Sequence, residues 1–223
     1  MNQRVKGWIF GRETRPRHIR LGLLRGWTFV IDPRDKSQRL LGLDEKEIAA
    51  HVRQAAANGR TAIDVGAHDG WYATFFASRP NISHVIACDP NQTMVDRLVE
   101  NVNLNGLGPK VAARRVAVGG SKAEGFSSLD ELLMNETPPF VIKIDVDGGE
   151  LDVLTSGRAV LRDQDCSLIV ETHSFDLERD CARYLGQLGY ETTIVRNGWY
   201  RVFVPELRMA AHNRWLVASR SPH

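Results

Sequence analysis

The stretch from Thr61 to Tyr72 constrains this chain more than any other: Thr-Ala-Ile-Asp-Val-Gly-Ala-His-Asp-Gly-Trp-Tyr is a short apolar run ending in an acid and then in spaced glycines. A run of that length suits a buried parallel strand, and Gly66 and Gly70 let the following turn bring main-chain N–H groups close to a ligand before a helix starts. The spacing narrows the ligand. A pyrophosphate-binding turn needs G-x-G-x-x-G, whereas this turn is acid-x-Gly-x-x-x-Gly with His68 and Asp69 inside it. An acid there repels a pyrophosphate and suits a cation, such as the ammonium and sulfonium of S-adenosylmethionine (SAM). An ordinary strand-to-helix turn can have the same pattern, so the loop alone does not decide.

The rest of the chain repeats the theme. Val85 to Cys88 reads as a second buried strand ending at Asp89-Pro90, with Asp89 25 residues after Asp64. An acid about 20 residues on is where a nucleotide-binding unit holds ribose hydroxyls. Phe140-Val-Ile-Lys143-Ile-Asp145-Val-Asp147-Gly-Gly149-Glu150 is another strand with acids at its end, and Leu168 to Val170 leads into Glu171-Thr-His173. Strands alternating with helices imply a parallel sheet with its ligand at the C-terminal edge, and Asp64, Asp89, Val118, Asp145 and Glu171 each close a predicted strand.

In these motifs the chain resembles the FkbM-type SAM-dependent methyltransferases, over about residues 43 to 219. The matching pieces are the Asp64 to Gly70 loop, Asp89-Pro90, Asn101 to Asn105, Ser127-Ser-Leu-Asp130, Ile142 to Glu150 and Glu171-Thr-His173. His68 stands where the family usually has Asn, Asp147 where it has Glu, and Gly149 where it has Ala. The resemblance implies an α/β fold of the class I methyltransferase, Rossmann-like type: a mostly parallel seven-stranded sheet with an antiparallel last strand. It implies SAM as cofactor, with Asp64, Gly66, Ala67, His68, Gly70, Asp89, Pro90, Val118 and Asp145 around it, and a sugar or secondary-metabolite hydroxyl as acceptor.

His173 is the expected general base, since an imidazole titrates near about 6.5, and Asp145 is expected beside the transferred methyl. Glu171, His173, His212 and Arg214 are the expected acceptor-site residues, the last two because an antiparallel final strand begins at the edge where parallel strands end. Lys143 shares a face with Asp145 and is expected to pair with an acid. Asp145, Glu171 and His173 are of types that also suit Mg²⁺ or Mn²⁺, but with no H-E-x-x-H and no cysteine pair no metal is expected. Thr137-Pro-Pro-Phe140 is similar to the N/D-P-P-Y/F signature of amino-group methylases, yet it precedes its strand, so hydroxyl acceptors are favoured over amines.

At 223 residues and 43% hydrophobic content one domain suffices: a basic extension or lid over residues 1–43 and a methyltransferase domain over 44–223. Three cysteines, an odd number, together with no signal-like or membrane-spanning run, point to free thiols and the cytoplasm. Residues 1–40 carry ten Lys or Arg against three Asp or Glu. A basic arm can bind RNA or DNA, but these charges are interspersed with apolar residues, so a small-molecule acceptor is expected and nucleic acid is not. A nucleic-acid methylase, a non-catalytic SAM-binding protein and a nicotinamide enzyme are the alternatives.

The expected elements are a hairpin of Ile19–Leu24 and Trp27–Ile31, a helix capped by Asp44 and stopped by Gly59, and a helix over Trp71–Ser78. Then come an Asn91-capped helix burying Met94, Leu98 and Val102, a strand over Lys110–Val118, a helix over Leu177–Leu188, and strands over Glu191–Val195 and Trp215–Ser219.

Overall fold

The computed structural model describes residues 13–198, 201 and 214–220. Its main sheet has seven strands: β3 (Thr61–Val65), β4 (His84–Asp89), β5 (Val111–Arg115), β8 (Phe140–Ile144), β9 (Cys166–Thr172), β10 (Glu191–Val195) and β11 (Arg214–Ser219). Their order is β10-β11-β9-β8-β3-β4-β5. Every pairing from β9 to β5 is parallel, and β11 is antiparallel to both neighbours, as expected for the class I arrangement. Two small pairs accompany the sheet: β1 (Arg15–His18) with β2 (Thr28–Ile31), and β6 (Ala117–Val118) with β7 (Phe126–Ser127).

Alternation along the strands builds two cores. Ala62, Val85, Ala87, Val141 and Ile169 point to a layer with α2 (Ala49–Asn58), α3 (Trp71–Ala77) and α4 (Gln92–Leu104), where Phe75 and Phe76 are buried. Ile63, Ile86, Ile142, Ile144 and Val170 face the other layer, with α5 (Leu129–Leu133), α6 (Glu150–Ser156), α7 (Arg158–Asp163) and α8 (Phe175–Gln187). Burying each large apolar side chain contributes about 1.5–3 kcal/mol. The same period of two puts Asp64, Lys143 and Glu171 on the α2/α3 face, at the C-terminal ends of their strands.

Several matching motifs do structural work. Asn101 Oδ1 accepts from Val30 N at 2.8 Å while its Nδ2 donates to Asp69 O at 2.9 Å, and Asn105 exchanges two bonds with the main chain of Thr28. The two amides thereby tie β2 to α4. Asp130 caps α7 by accepting from Ala159 N and Val160 N, and Ser128 forms a capping box with Glu131.

The structure alters several expected elements, and α8 begins at Phe175, not Leu177. The amino-terminal pair is β1 with β2, not Ile19–Leu24 with Trp27–Ile31, and the latter's turn is part of a longer connection. A helix α1 (Pro33–Leu41) follows it, capped by Asp32, whose carboxylate accepts from Arg34 N. Asp44 lies in a turn, and α2 starts later, at Ala49. In α4 the inward residue is Val95, with Met94 half-buried. Lys110 ends a short 3-10 turn, and the expected strand to Val118 is broken at Val116 into β5 and β6.

Cys88, Cys166 and Cys181 are free and buried, and burial pushes each thiol up to about 12. Among the described residues no helix is long and apolar enough to cross a membrane.

Candidate active site

The loop after β3 is shaped by its neighbours. Gly66 (φ +77°) and Ala67 donate their N–H groups to Cys88 O, each at 2.9 Å. Asp64 is buried and accepts from Ala73 N at 2.9 Å, which fixes the first turn of α3; burial pushes its carboxyl up to about 7. Gly70 (φ +85°) begins α3 against Leu98. His68 lies in the left-handed region (φ +49°), and its N–H donates to Asp89 Oδ2 at 2.9 Å. Asp89 Oδ1 accepts from Asn91 N at 2.8 Å. Both oxygens of Asp89 are thus oriented by main-chain donors, with lone pairs left over for a vicinal diol. Pro90 is exposed beside it and Val118 is buried at the end of β6.

Asp69 is paired with α1. Its carboxylate takes Arg39 Nη1 at 2.8 and 2.9 Å and Lys36 Nζ at 2.6 Å, so α1 is bound to the loop by buried charge. Burial alone would raise its pKa, but Arg39, His68 and Lys36 hold it well below the usual carboxylate range. The guanidinium of Arg39 also stacks 4.5 Å from the Trp71 ring. Lys36 and Arg39 escaped the reading of the basic arm as one undifferentiated stretch. The signal was there: Asp32-Pro33 is a helix start, and positions three apart share a helix face.

A second cluster gathers the ends of β8 and β9. Lys143 is fully buried, with Nζ 3.7 Å from both Asp145 Oδ2 and Glu171 Oε2 and 4.9 Å from the centre of the Tyr72 ring. Burial favours the neutral amine, but Asp145, Glu45 and Glu171 outweigh it and keep Lys143 charged. Trp215 Nε1 donates to Glu171 Oε2 at 3.3 Å. Glu45 (φ +43°) accepts from the Tyr72 hydroxyl, and burial followed by the nearby Glu171 charge raises its pKa well above the usual value. Neither Glu45 nor Tyr72 carries a sequence signal of its own; only the fold brings them here.

His173 follows directly on β9. Its Nε2 is 3.8 Å from Asp145 Oδ1, 3.6 Å from Asp147 Oδ1 and 3.9 Å from Glu171 Oε1, and makes no hydrogen bond. The imidazole pKa is raised, chiefly by its hydrogen bond to Glu150. Asp145, Glu171 and His173 offer donor atoms all within 4.8 Å of one another, a spacing a divalent cation would tolerate. The ammonium of Lys143 already lies against two of these carboxylates.

Arg214 opens β11 at the same edge, paired opposite Thr172. Its partner is Glu178, at 2.9 Å through both Nε and Nη2, and its guanidinium lies 4.8 Å from the exposed Phe175 ring. Glu206, a nearer acid in sequence, and His212 lie outside the described residues. The Thr137–Phe140 loop sits at the opposite edge, where Pro139 O accepts from Arg60 N and Thr61 N.

Residues 127–209 match the Methyltransferase FkbM domain model. Over that stretch the chain is similar to the FkbM methyltransferases. It is 26% identical over 220 residues to the hexuronic acid methyltransferase AglP of Haloferax volcanii, covering 86% of this chain and 90% of that protein. Among solved structures, the FkbM methyltransferase of Methylobacillus flagellatus superposes with a TM-score of 0.58 at 14% identity, over 71% of this chain but only 43% of that one. An O-methyltransferase from Bacillus cereus crystallised with S-adenosylhomocysteine (SAH) gives a TM-score of 0.52 at 15% identity, over 77% and 78% of the two chains. At such identities the structural likeness speaks to the fold. The domain match and the curated relative support a SAM-dependent methyltransferase.

Proposed function

We propose that this protein transfers a methyl group from SAM to a hydroxyl of a sugar, with a hexuronic acid the first acceptor to test because the curated relative is named for one. The observation that carries the reading is that the diol-ready carboxylate of Asp89 and the Nε2 of His173, which makes no hydrogen bond and stands beside Asp145 and Glu171, share one sheet edge.

The donor site fits SAM. Asp89 would take the ribose hydroxyls, with Pro90 and Val118 flanking the adenosine, and the Gly66–Gly70 turn, carrying Asp64, Ala67 and His68, would line the methionine end. When bound, the cofactor supplies an electrophilic methyl on a positively charged sulfur and departs as the neutral thioether. Nε2 of His173 would take the acceptor's hydroxyl proton as the hydroxyl oxygen bonds to the methyl carbon. Asp145 lies beside that transfer and stabilises the imidazolium that results. Alignment of the oxygen with the donor carbon contributes much of the rate, and Glu171, Arg214 and the Phe175 face are the acceptor-side walls, with His212 proposed beside them.

The basic arm is read as a lid over residues 1–43 of the same domain, the transferase domain proper being 44–223. Nucleic acid is disfavoured as acceptor, because Arg34, Lys36 and Arg39 are engaged with Asp32, Asp69 and Asp44. Three free, buried thiols suit a reducing compartment such as the cytoplasm. The testing experiment is kinetics of His173→Asn with SAM and hexuronic acids: kcat falls by about 10² to 10⁴-fold while SAH affinity is kept. Unchanged kcat would remove the base assignment.

A further inference from the structure

Glu150 opens α6 and its side chain is fully buried, yet among the described residues no lysine or arginine pairs with it. Its Oε1 lies 2.5 Å from His173 Nδ1 and also accepts from Gly148 N at 3.3 Å. The Gly148 N–H donates to Oε1, and with Glu150 as the carboxylate, which has no proton to give, the same oxygen accepts from the imidazole N–H at Nδ1. The contact joins two motifs 23 residues apart, the acid run after β8 and the Glu-x-His after β9. On the other side of the ring, Nε2 is buried, makes no hydrogen bond, and stands beside Asp145, Asp147 and Glu171 at separations longer than a hydrogen bond.

We propose that Glu150 is a positioning residue that fixes His173 in the tautomer with its hydrogen on Nδ1, leaving Nε2 as the nitrogen that faces the acceptor hydroxyl. The proposal rests on the base assignment of His173. Which ring nitrogen is protonated is set by what the other nitrogen touches, and a neutral imidazole in water prefers its hydrogen on Nε2. In that form it would point a proton at the hydroxyl and could not accept one. Glu150 reverses the preference, as the buried acid of a hydrolase triad does. The charged groups facing the ring are Asp145, Asp147 and Glu171 together with Glu150 itself, and the ammonium of Lys143 is 3.7 Å from two of them. This acid excess favours the imidazolium formed by proton transfer.

The test uses the full chain labelled with ¹⁵N-histidine, with His173 assigned by its missing signal in His173→Asn. At a pH where the ring is neutral, the wild-type spectrum shows hydrogen on Nδ1, and a spectrum with hydrogen on Nε2 overturns the proposal without any variant at Glu150. Glu150→Met keeps the volume and removes the acceptor. It shifts the ring to the Nε2–H form and lowers kcat by about 10² to 10⁴-fold, with the Kd for SAH unchanged. A folded Glu150→Met protein with wild-type tautomer and kcat overturns the proposal; if that variant does not fold, the wild-type spectrum decides. Should His173→Asn keep its activity, the base assignment fails, while the tautomer result still reports on Glu150.

Discussion

A Cβ placed on Gly66 would stand 1.8 Å from the main-chain oxygen of Asp145, so the loops that end β3 and β8 meet at backbone contact. The φ of +77° at Gly66 likewise favours glycine there. Gly66→Ala therefore costs at least about 2 kcal/mol of stability, from strain and from separation of the two loops. Urea denaturation measures it, and SAH affinity is lost with it. A variant as stable as wild type would mean that the loops part without cost.

Much of this architecture was legible in the sequence, because apolar runs and punctuating glycines are local signals. The bounds of β10 and the antiparallel direction of β11 follow the reading from sequence. Long-range pairing was not legible. Asp69 reads as a charge that repels phosphate, but Arg39, 30 residues earlier, neutralises it. Glu150 reads as an ordinary acid in the first turn of a helix, and its contact with His173 exists only once β8 and β9 lie side by side. Val116 breaks the expected third strand where its N–H turns to Asp89 O, a partner no local pattern announces.

Asp89 is oriented by His68 N and Asn91 N. Asp89→Ala weakens SAH binding by about 10 to 100-fold, the worth of hydrogen bonds to a charged acceptor, as measured by calorimetry. Equal affinity in the variant would place the ribose elsewhere.

Folded Asp64 holds its proton up to about 7, against 3.8 for the ordinary carboxyl. Between those values the folded state binds the extra proton, so stability falls as pH rises through the window and is level above it. Asp64→Asn, whose amide oxygen can still accept from Ala73 N, flattens that slope in denaturation curves of the cofactor-free protein. An unchanged slope would assign it to other groups.

Lys143 lies 3.7 Å from the carboxylates of Asp145 and Glu171 and meets their charge without an added cation. Methyl transfer therefore persists after exhaustive chelation. Activity lost with EDTA and restored by Mg²⁺ would turn the Asp145–Glu171–His173 set from a proton site into a metal site.

Arg214 is held by Glu178 and lies 4.8 Å from the Phe175 ring. Arg214→Lys loses the planar fork and raises the acceptor KM by about tenfold, an effect of about 1.4 kcal/mol. A variant with lowered melting temperature and unchanged KM would make the residue a structural brace.

The most direct measurement is mass spectrometry of the products after incubation with SAM and a panel of hexuronic acids, other sugars and RNA. The expected result is one methyl added to a sugar hydroxyl, with SAH released in equal amount and both formed about 10² to 10⁴-fold more slowly by His173→Asn. Methylation of an RNA base nitrogen, with every sugar left unmodified, would contradict the account.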